Sequence, residues 1–287
     1  MEMVKTKVVV KAACATAFVL CLGSCASSYT YRWHKIAVDN SRSGVTFATA
    51  DNVEQAMGYV EDGVYHAPSG RVFTDGSTVA VASELIAVQP EMKYLKQVVA
   101  YAPKAMTSHA PQSELSNFAV DCLMAKTAEV TGRKVDVGIT NFGGIRCGVP
   151  QGDVILDDFV SMFPFKNYLV YATIRGDRLL ELFEGIVSRG FQAFGGVELV
   201  VRDRKILSFK IGGEEIDKDK LYGLASIDFL LKRGDGISIA DYAQEVQVTD
   251  VLIRTAVLEE VFRRTEAGEP VEYHLDNRVT VLCEKGL

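Results

Sequence analysis

An amide, two glycines and a guanidinium follow one another in the segment Asn141-Phe142-Gly143-Gly144-Ile145-Arg146. Gly143 and Gly144 carry no Cβ, so a ligand can approach the main chain there and reach its N–H groups. The amide of Asn141 can donate and accept hydrogen bonds, and the fork of Arg146 can hold hydroxyl or phosphate oxygens. Groups of this kind bind and orient a ligand; they do not break its bonds.

Two later segments add aromatic and acidic side chains. Pro164-Phe165-Lys166-Asn167 offers one ring, and the stretch from Asp228 to Gly236 offers Phe229 and Asp235. A flat base can stack on phenylalanine rings, and a carboxylate can accept hydrogen bonds from hydroxyl groups. Each segment also has a plainer interpretation. A glycine pair commonly only turns the chain, a phenylalanine is commonly core, and an aspartate between glycines commonly belongs to a turn.

Hydrophobic periodicity predicts the elements that must position these segments. Helices are expected to begin near Ser113, at Asp157 or Asp158, at Asp177, and after a cap at Asp250. Strands are expected over residues 135–140, 168–174, 197–201, 206–211, 222–225 and 278–283. Helices and strands are interspersed, with a hairpin-like turn at Gly212-Gly213. The pattern favours an α+β (mixed α/β) domain, a layered sandwich of helices on mixed sheets, over a doubly wound parallel sheet.

The first third of the chain gives weaker signals. Residues 26–78 are polar with little periodicity and are interpreted as a linker plus a small N-terminal extension. The apolar run at residues 78–82 predicts a buried strand. Pro90 is expected to open a helix that carries Met92, Leu95, Val98 and Val99 on one face.

Composition excludes one class of partner. The chain has 287 residues, is 48% hydrophobic and carries a formal net charge of -6. Such a chain can bury a normal core, and its length suits one large domain or one domain with an extension. A polymer of nucleic acid is not expected as a partner, because neutralising its phosphates needs a basic surface.

The N-terminus has the layout of a secretory leader. Lys5, Lys7 and Lys11 precede an apolar run at residues 12–22, which ends in Leu22-Gly23-Ser24-Cys25. Charge, apolar run and small residues in this order predict a signal peptide over residues 1–24. The final four residues resemble a bacterial lipobox, which implies that Cys25 carries a lipid and becomes the mature N-terminus. Ordinary secretion and an uncleaved membrane anchor are the alternatives, but the run is short beside the roughly 20 residues of a span.

The remaining cysteines and the histidines do not form a recognisable metal site. Beyond the leader, Cys122, Cys147 and Cys283 are odd in number and widely spaced, so no disulfide framework is expected. Cys122 lies in an apolar helical pattern and is expected in the core, whereas Cys147, in a loop after an arginine, could be a reactive thiol. The four histidines are scattered along the chain as surface or capping residues: His34, His66, His109 and His274. No metal site is therefore expected on this chain.

In their order, the three binding segments resemble the C-terminal domain of the 5′-nucleotidase family. The family marks are Asn-x-Gly-Gly-x-Arg, then Pro-Phe-x-Asn or a close variant, then Phe-Leu-x-x-Gly-Gly-Asp-Gly. The stretch Gly-Phe-Gln-Ala-Phe-Gly-Gly at residues 190–196 and Leu115-Ser116-Asn117 also resemble family segments. The resemblance covers residues 79–287 and is most specific between Ser113 and Gly236.

The resemblance implies a role for each binding residue. Phe165 and Phe229 would sandwich a nucleobase, and Asp235 would accept hydrogen bonds from ribose hydroxyls. Arg146 would bind ribose or phosphate oxygens, and Asn141 the base edge or the sugar. Gly143 and Gly144 would let the ligand approach the main chain.

The sequence departs from the family in two respects. Pro111 stands where family members often carry a ribose-binding arginine, and Arg233 replaces the first glycine of Gly-Gly-Asp-Gly. Arg233 could supply the lost contact from the other side, or be a solvated loop residue. In addition, the stretch between Cys25 and Val79 is expected to be too short for the metallophosphatase domain that performs the chemistry in full enzymes of the family. The two divalent metals of that domain are therefore expected on a partner protein.

These observations predict a leader over residues 1–24, an extension over 25–78 and a 5′-nucleotidase C-terminal-like domain over 79–287. The expected function is nucleotide or nucleoside recognition in the cell envelope, in the service of nucleotide hydrolysis by a separately encoded metallophosphatase. A stand-alone nucleoside-binding lipoprotein is the alternative. An activity of the chain's own, through Cys147, ranks lowest because no nucleophile–base pair is readable.

Overall fold

The computed structural model describes residues 41–49 and 51–282. Within these ranges the helices are α1 (Val53–Met57), α2 (Gly76–Ala87), α3 (Glu114–Thr131), α4 (Leu156–Met162), α5 (Gly176–Arg189) and α6 (Ile253–Glu266). The strands are β1 (Tyr59–Glu61), β2 (Val64–His66), β3 (Val72–Phe73), β4 (Val98–Ala102), β5 (Val137–Thr140), β6 (Gly152–Ile155), β7 (Tyr168–Arg175), β8 (Ala193–Gly195), β9 (Val197–Arg202), β10 (Lys205–Ile211), β11 (Glu214–Glu215), β12 (Leu221–Ile227), β13 (Glu245–Leu252) and β14 (Val279–Val281).

A mixed five-stranded sheet forms the centre of the molecule, in the order β13-β7-β12-β5-β8. β12 and β5 run parallel, whereas the other neighbouring pairs are antiparallel. A second sheet has the order β11-β10-β9-β14, and β14 pairs with β9 in parallel. Helices packed on two mixed sheets confirm the α+β (mixed α/β) class expected from the sequence.

Helix α3 covers one face of the central sheet, where it packs against β5, β8 and β12. Its start is fixed by Ser113, whose hydroxyl accepts a hydrogen bond from the backbone N–H of Ser116 at 3.2 Å. Gly132, with φ of 64°, ends the helix in the left-handed conformation that glycine adopts without strain. The start agrees with the helix expected to begin near Ser113.

Helix α5 joins the two sheets, since it contacts β7 of the first and β10 of the second. Phe183 on this helix packs against Phe194 of β8 and Phe209 of β10, with ring centroids 4.8 Å and 4.7 Å apart. All three rings are almost fully buried. Tilted aromatic pairs of this kind contribute about 0.5–1.5 kcal/mol each beyond the burial of their area. The cluster therefore fixes α5, and with it the loop that follows, relative to both sheets.

A buried arginine attaches the C-terminal strand to helix α3. The guanidinium of Arg278 donates to both carboxylate oxygens of Asp121, at 2.9 Å and 2.8 Å, and to Asp276 at 2.6 Å. It also donates to the carbonyl of Phe194 at 3.0 Å. Because its charge is paired and its donors are satisfied, Arg278 can remain buried without a large desolvation penalty.

Two predictions for the first third of the chain are wrong. Residues 78–82, expected as a strand, lie inside helix α2, because a short apolar run without alternation fits a helix as well as a buried strand. Pro90 does not open a helix: Lys93–Lys96 form a 3₁₀ turn, and Val98 and Val99 belong to β4. The pairing of β4 with β6 determines the secondary structure of this region, and the local sequence contains no pattern that predicts the pairing.

The expected cap at Asp250 is also wrong. Helix α6 begins at Ile253, and Asp250 lies within β13, which pairs with β7. The helices expected at Asp157 or Asp158 and at Asp177 are present as α4 and α5, and the strands expected between residues 135 and 225 are present within one or two residues of their predicted ends.

The part of the predicted extension that the structure describes is folded. It contains α1 and a three-stranded antiparallel sheet of β1, β2 and β3. These strands are two or three residues long, too short to give the sequence a visible alternation. The predicted boundary at residues 78 and 79 falls inside α2, and the division into domains stays a prediction. Helix α2 has no buried residue and exposes Val81 and Leu85.

The predicted leader, the lipidation site Cys25, His34 and Cys283 lie outside the described residues. Among the helices that the structure describes, none combines the length and the apolar character that a membrane span needs.

Candidate functional site

The three segments singled out in the sequence meet in one cleft. Its volume is about 270 Å³, and it is lined by Asn141, Gly143, Gly144, Arg146, Phe165, Asn167, Phe229 and Asp235. All seven predicted binding residues are in this set, although they come from stretches up to 94 residues apart. The fold thus brings rings, amide, guanidinium and carboxylate together as the sequence predicted.

The first wall of the cleft is the turn that follows β5. Asn141 is buried directly after the strand, and a 3₁₀ turn over Phe142–Gly144 carries the chain away. The backbone N–H of Phe142 donates to Oε1 of Gln192 at 3.2 Å, which holds the turn from outside. At Gly144 a Cβ would lie 2.6 Å from Oδ1 of Asn141, so only glycine fits beneath the amide. The glycine is thus required by the close approach of a side chain.

The second wall is the loop after β12. Arg233, Asp235 and Gly236 have φ of 63°, 50° and 73°, in the left-handed region that aspartate tolerates better than most residues. Hydrogen bonds from Gly236 N to Arg233 O and from Ile237 N to Gly234 O close the loop. Left-handed residues outside glycine are uncommon and cluster at functional sites, where the surrounding structure holds them. Here the conformation places the carboxylate of Asp235 at the cleft.

Among the described residues, one hydrogen bond joins the two walls. Nδ2 of Asn141 donates to Oδ2 of Asp235 at 2.7 Å. Among the described residues, Oδ1 of Asn141 is buried and has no hydrogen-bond partner. A buried amide oxygen without a partner is unfavourable, and a ligand donor that reached it would remove the penalty.

Two phenylalanine rings form the open side of the cleft. Phe165 is 49% exposed and Phe229 is 44% exposed, although buried positions are the usual place for this residue. Phe165 lies between α4 and β7, and Phe229 lies in a 3₁₀ turn after β12. The carboxylate of Asp228 accepts a hydrogen bond from the backbone N–H of Tyr168 at 3.1 Å, which ties the two ring-bearing segments together. The two rings do not stack on one another or on any other ring of the described chain.

Arg146 lies at the edge of the cleft and is exposed. Its Nη1 donates to the carbonyl of Gly143 at 3.1 Å, and its backbone N–H donates to the carbonyl of Met162 at 2.9 Å. One hydrogen bond orients the guanidinium and leaves its other N–H groups available. A cation with free donors at a cleft edge suits hydroxyl or phosphate oxygens.

Several other candidates lie away from the cleft. Arg233 and Pro111 do not line it, and Asn117 is buried on α3 with its amide near Gln112 and His274. Cys122 is buried as predicted, and burial raises the pKa of its thiol, which keeps it protonated. Cys147 is exposed, with Sγ 3.6 Å from the carbonyl of Ser161.

The described residues do not fit a two-metal site. Across residues 41–49 and 51–282, no group of three or more His, Cys, Asp or Glu side chains is arranged to hold a metal ion. The ring of His66 stacks on Tyr59, and the ring of His274 stacks on Tyr273.

Three residues near the site were not singled out from the sequence as binding residues. Asn167 lines the cleft, and its position in Pro164-Phe165-Lys166-Asn167 was the available signal. Arg189 and Gln192 lie behind Asp235, in a second, smaller pocket that shares this residue. Gln192 belongs to the stretch 190–196 that resembles the family, whereas nothing in the local sequence distinguishes Arg189.

Comparison with known sequences identifies a family for the region that contains the cleft. The family model for the 5′-nucleotidase, C-terminal domain, matches residues 95–242, which include every residue of the cleft. The chain is 27% identical over 265 residues to the trifunctional nucleotide phosphoesterase protein YfkN of Bacillus subtilis, covering 79% of this chain and 18% of that protein. It is 29% identical over 119 residues to protein UshA of Escherichia coli, covering 40% and 21%. The chain thus spans about a fifth of the length of these relatives.

Solved structures support the fold. A 5′-nucleotidase precursor from Thermus thermophilus superimposes with a TM-score of 0.63 at 21% identity, over 77% of this chain and 49% of that one. The NAD nucleotidase of Haemophilus influenzae gives a TM-score of 0.52 at 16% identity, over 76% and 47%. Identities this low establish the architecture alone. Because the family model matches more than half of the chain and contains the whole cleft, this chain belongs to the 5′-nucleotidase C-terminal domain family.

Proposed function

We propose that the cleft binds a nucleotide or nucleoside, with the base between Phe165 and Phe229 and the ribose beside Asp235. The observation that carries the proposal is that two half-exposed rings share one cleft with Asn141, Arg146 and Asp235. Stacking between a base and an aromatic ring contributes roughly 1–3 kcal/mol and accepts any base, since every base has a π-face. Binding would cover both rings and remove their apolar surface from water.

The charges of the cleft suit the remaining parts of such a ligand. Asp235 is an acceptor for ribose hydroxyls, and Arg146 supplies positive charge and free donors for ribose or phosphate oxygens. Oδ1 of Asn141 can accept a hydrogen bond from the base edge or the sugar. The arrangement holds the nucleoside and leaves its phosphate end for another group to act upon.

We place the bond-breaking step on a separately encoded metallophosphatase. The relatives are named as a phosphoesterase and as nucleotidases, and this chain spans about a fifth to a half of their length. Since the described residues do not fit a metal pair, the chain's own contribution is to bind and orient the substrate, and the two divalent metals would belong to the partner.

The proposed location is the cell envelope, where Cys25 would carry a lipid anchor. The support is the order of lysines, apolar run and Leu22-Gly23-Ser24-Cys25 at the N-terminus. Confining two proteins to one membrane raises their effective concentration, so the anchor would favour their association. Replacement of Cys25 by Ala should release the protein from the membrane fraction and abolish incorporation of labelled fatty acid. Unchanged membrane retention would contradict the anchor.

Isothermal titration calorimetry with AMP and adenosine tests the binding proposal. The wild-type chain should bind both, and Phe229→Ala should weaken binding by about 1–3 kcal/mol, that is, five- to 150-fold. Phe262→Ala is the matched control, since this ring is 40% exposed on α6 and does not line the cleft. Absence of binding by the wild-type chain, or equal effects of the two variants, would remove the nucleotide assignment.

A reconstitution assay tests the partner. The chain is mixed with purified envelope metallophosphatases that lack a domain of this family, and release of phosphate from AMP is followed. We expect one of them to gain activity with wild-type chain and much less with Phe229→Ala. If AMP binds but no phosphatase associates or gains activity, the alternative of a stand-alone nucleoside-binding lipoprotein replaces the partner model.

A further inference from the structure

A second pocket, here called the side pocket, adjoins the cleft. It has a volume of about 160 Å³ and shares Asp235 with the cleft, so the carboxylate stands between the two cavities. Its other walls come from the end of α5, from the segment before β8 and from the loop after Asp235. The polar side chains in these walls are those of Arg189 and Gln192, and Ile186, Phe191 and Ile237 supply apolar surface.

Arg189 is held in a fixed orientation at the C-terminal end of α5. Its Nε donates to the carbonyl of Gly185 at 3.0 Å, and its Nη1 donates to the carbonyl of Gly236 at 2.7 Å. The second contact lies one residue after Asp235, so Arg189 also braces the loop that presents the carboxylate. Within the described part of the chain, Nη2 has no hydrogen-bond partner. Arg189 therefore offers a positioned, positively charged donor in the side pocket.

Gln192, three residues after Arg189, offers a second donor to the side pocket. Its Oε1 accepts the hydrogen bond from the backbone N–H of Phe142 at 3.2 Å, which orients the side-chain amide. With the oxygen held in this way, the amide nitrogen Nε2 has no partner among the described residues. The same side chain thus braces the Asn141–Arg146 turn and presents two free N–H groups.

The donors and the carboxylate together define the chemistry of a ligand. Asp235 uses Oδ2 to accept from Asn141, and its Oδ1 has no partner within the described residues. A hydroxyl group can donate to this oxygen and accept from Arg189 or Gln192 at the same time. A phosphate monoester is mostly a dianion near neutral pH, so it has little capacity to donate a proton and would bring its charge beside the carboxylate, which is unfavourable. The mixture of acceptor and donors therefore selects neighbouring hydroxyl groups.

We propose that Arg189 and Gln192 bind the 2′,3′-hydroxyl edge of the ribose and make the site prefer ribonucleotides to deoxyribonucleotides. This inference rests on the proposed function, because it needs the nucleoside to lie with its sugar against Asp235. Arg233, which the sequence offered as a ribose contact, lines neither the cleft nor the side pocket. Arg189, at the C-terminal end of α5, would supply the ribose contact instead.

The test compares AMP with 2′-deoxy-AMP and 3′-deoxy-AMP by calorimetry. The wild-type chain should bind AMP about tenfold or more tightly than at least one deoxy analogue, since a hydrogen bond to a charged donor is worth this much. Arg189→Met should weaken AMP binding to the level of that analogue and leave the affinity for the analogue within about twofold. An unchanged ratio of the two affinities in Arg189→Met would overturn the proposal.

Further variants make the test specific. Gln192→Glu keeps an oxygen for the Phe142 N–H but removes the free donor, and it should also reduce the preference for ribose. Arg202→Met, at an exposed position on β9, is the control and should leave both affinities unchanged. Arg189→Lys, which keeps the charge without the second amino group, should behave as Arg189→Met does. Thermal melts of each variant check that the fold is retained.

The outcomes separate this inference from the proposed function. If the wild-type chain binds AMP and both deoxy analogues equally, the ribose assignment fails and nucleotide binding stands. If it binds neither AMP nor adenosine, both fail. Adenosine 3′,5′-bisphosphate should bind more weakly than AMP because of Asp235, and tighter binding would overturn the assignment of the side pocket to hydroxyl groups.

Discussion

The amide nitrogen of Asn141 lies 2.7 Å from a carboxylate oxygen of Asp235, and this hydrogen bond joins the two loops that form the cleft. Asn141 is 5% exposed, whereas Asp235 is exposed, so the buried partner anchors the accessible one. A hydrogen bond to a charged acceptor in a partly buried setting is among the stronger kinds in proteins. The relationship gives Asp235 a defined position before any ligand arrives.

A double-mutant cycle should detect this coupling. Asn141→Ala leaves the carboxylate without its partner, and Asp235→Ala leaves the amide nitrogen without its acceptor. We expect the free energies of unfolding of the single variants and the double variant to be non-additive by about 0.5–3 kcal/mol. Urea denaturation at neutral pH measures all four proteins. Additive effects within error would show that the two side chains do not stabilise one another.

The neighbouring glycines Gly143 and Gly144 should respond differently to the same substitution. A Cβ at Gly144 would lie 2.6 Å from Oδ1 of Asn141, whereas at Gly143 the nearest atom would be 3.5 Å away. Gly144→Ala must displace a buried amide and should destabilise the protein by about 1–3 kcal/mol, as overpacking does. Gly143→Ala should be neutral or stabilising by up to about 1 kcal/mol, because alanine restricts the unfolded chain.

Thermal melts of the two variants without ligand check this pair, each serving as the control for the other. The comparison is informative because both glycines have ordinary backbone angles, so conformational strain plays no part. Equal destabilisation of the two variants would mean that the space beneath the Asn141 amide is not the reason for glycine at position 144.

The cleft was predictable from the sequence because its residues occupy short segments with recognisable order. Asn141, Arg146, Phe165, Phe229 and Asp235 could be grouped without knowing how the chain folds between them. The side pocket could not be predicted in this way. Arg189 is positioned by a hydrogen bond to the carbonyl of Gly236, 47 residues later in the chain. A contact over this distance cannot be predicted from the sequence around Arg189.

The errors in secondary structure have two physical causes. Residues 78–82 are apolar without alternation, and helix α2, which contains them, has no buried residue to set a helical stripe. Val98 and Val99 fit a helical face, but their pairing with β6 places them in a strand. At residues 78–82 the local pattern is compatible with either element, whereas at Val98 and Val99 a tertiary contact, and not local preference, determines the strand. Helix α3 was predicted correctly because its cap at Ser113, its buried stripe and Gly132 all agree.

Arg233 tests whether the departure from the family pattern affects binding. Its φ of 63° is strained for a side chain with a Cβ, and the residue is exposed and does not line the cleft. Arg233→Gly should therefore raise stability by about 1 kcal/mol, the order of the strain at such a position. The affinity for AMP should stay within about twofold. A large loss of affinity would mean that Arg233 contacts the ligand after all.

Asp276 should make stability depend on pH in the acid range. Burial of its carboxyl group raises its pKa, but hydrogen bonds and charge from Arg278 outweigh this effect, so the pKa lies below its ordinary value. A carboxyl group whose pKa is lowered by folding contributes stability that is present above its ordinary pKa, about 3.9 for aspartate. This contribution is lost as the pH falls through the lowered value of the folded state. The stability of the wild-type chain should thus decrease below about pH 5.

Denaturation by urea at a series of pH values between about 6 and 3 measures this dependence. Asp276→Asn removes the titrating group, so the variant should be less stable at pH 6 and its stability should fall less steeply towards pH 3. Asp153→Asn, at an exposed position on β6, is the control and should retain the slope of the wild-type chain. If Asp276→Asn keeps the full slope, Asp276 does not supply the acid dependence, and other carboxylates must do so.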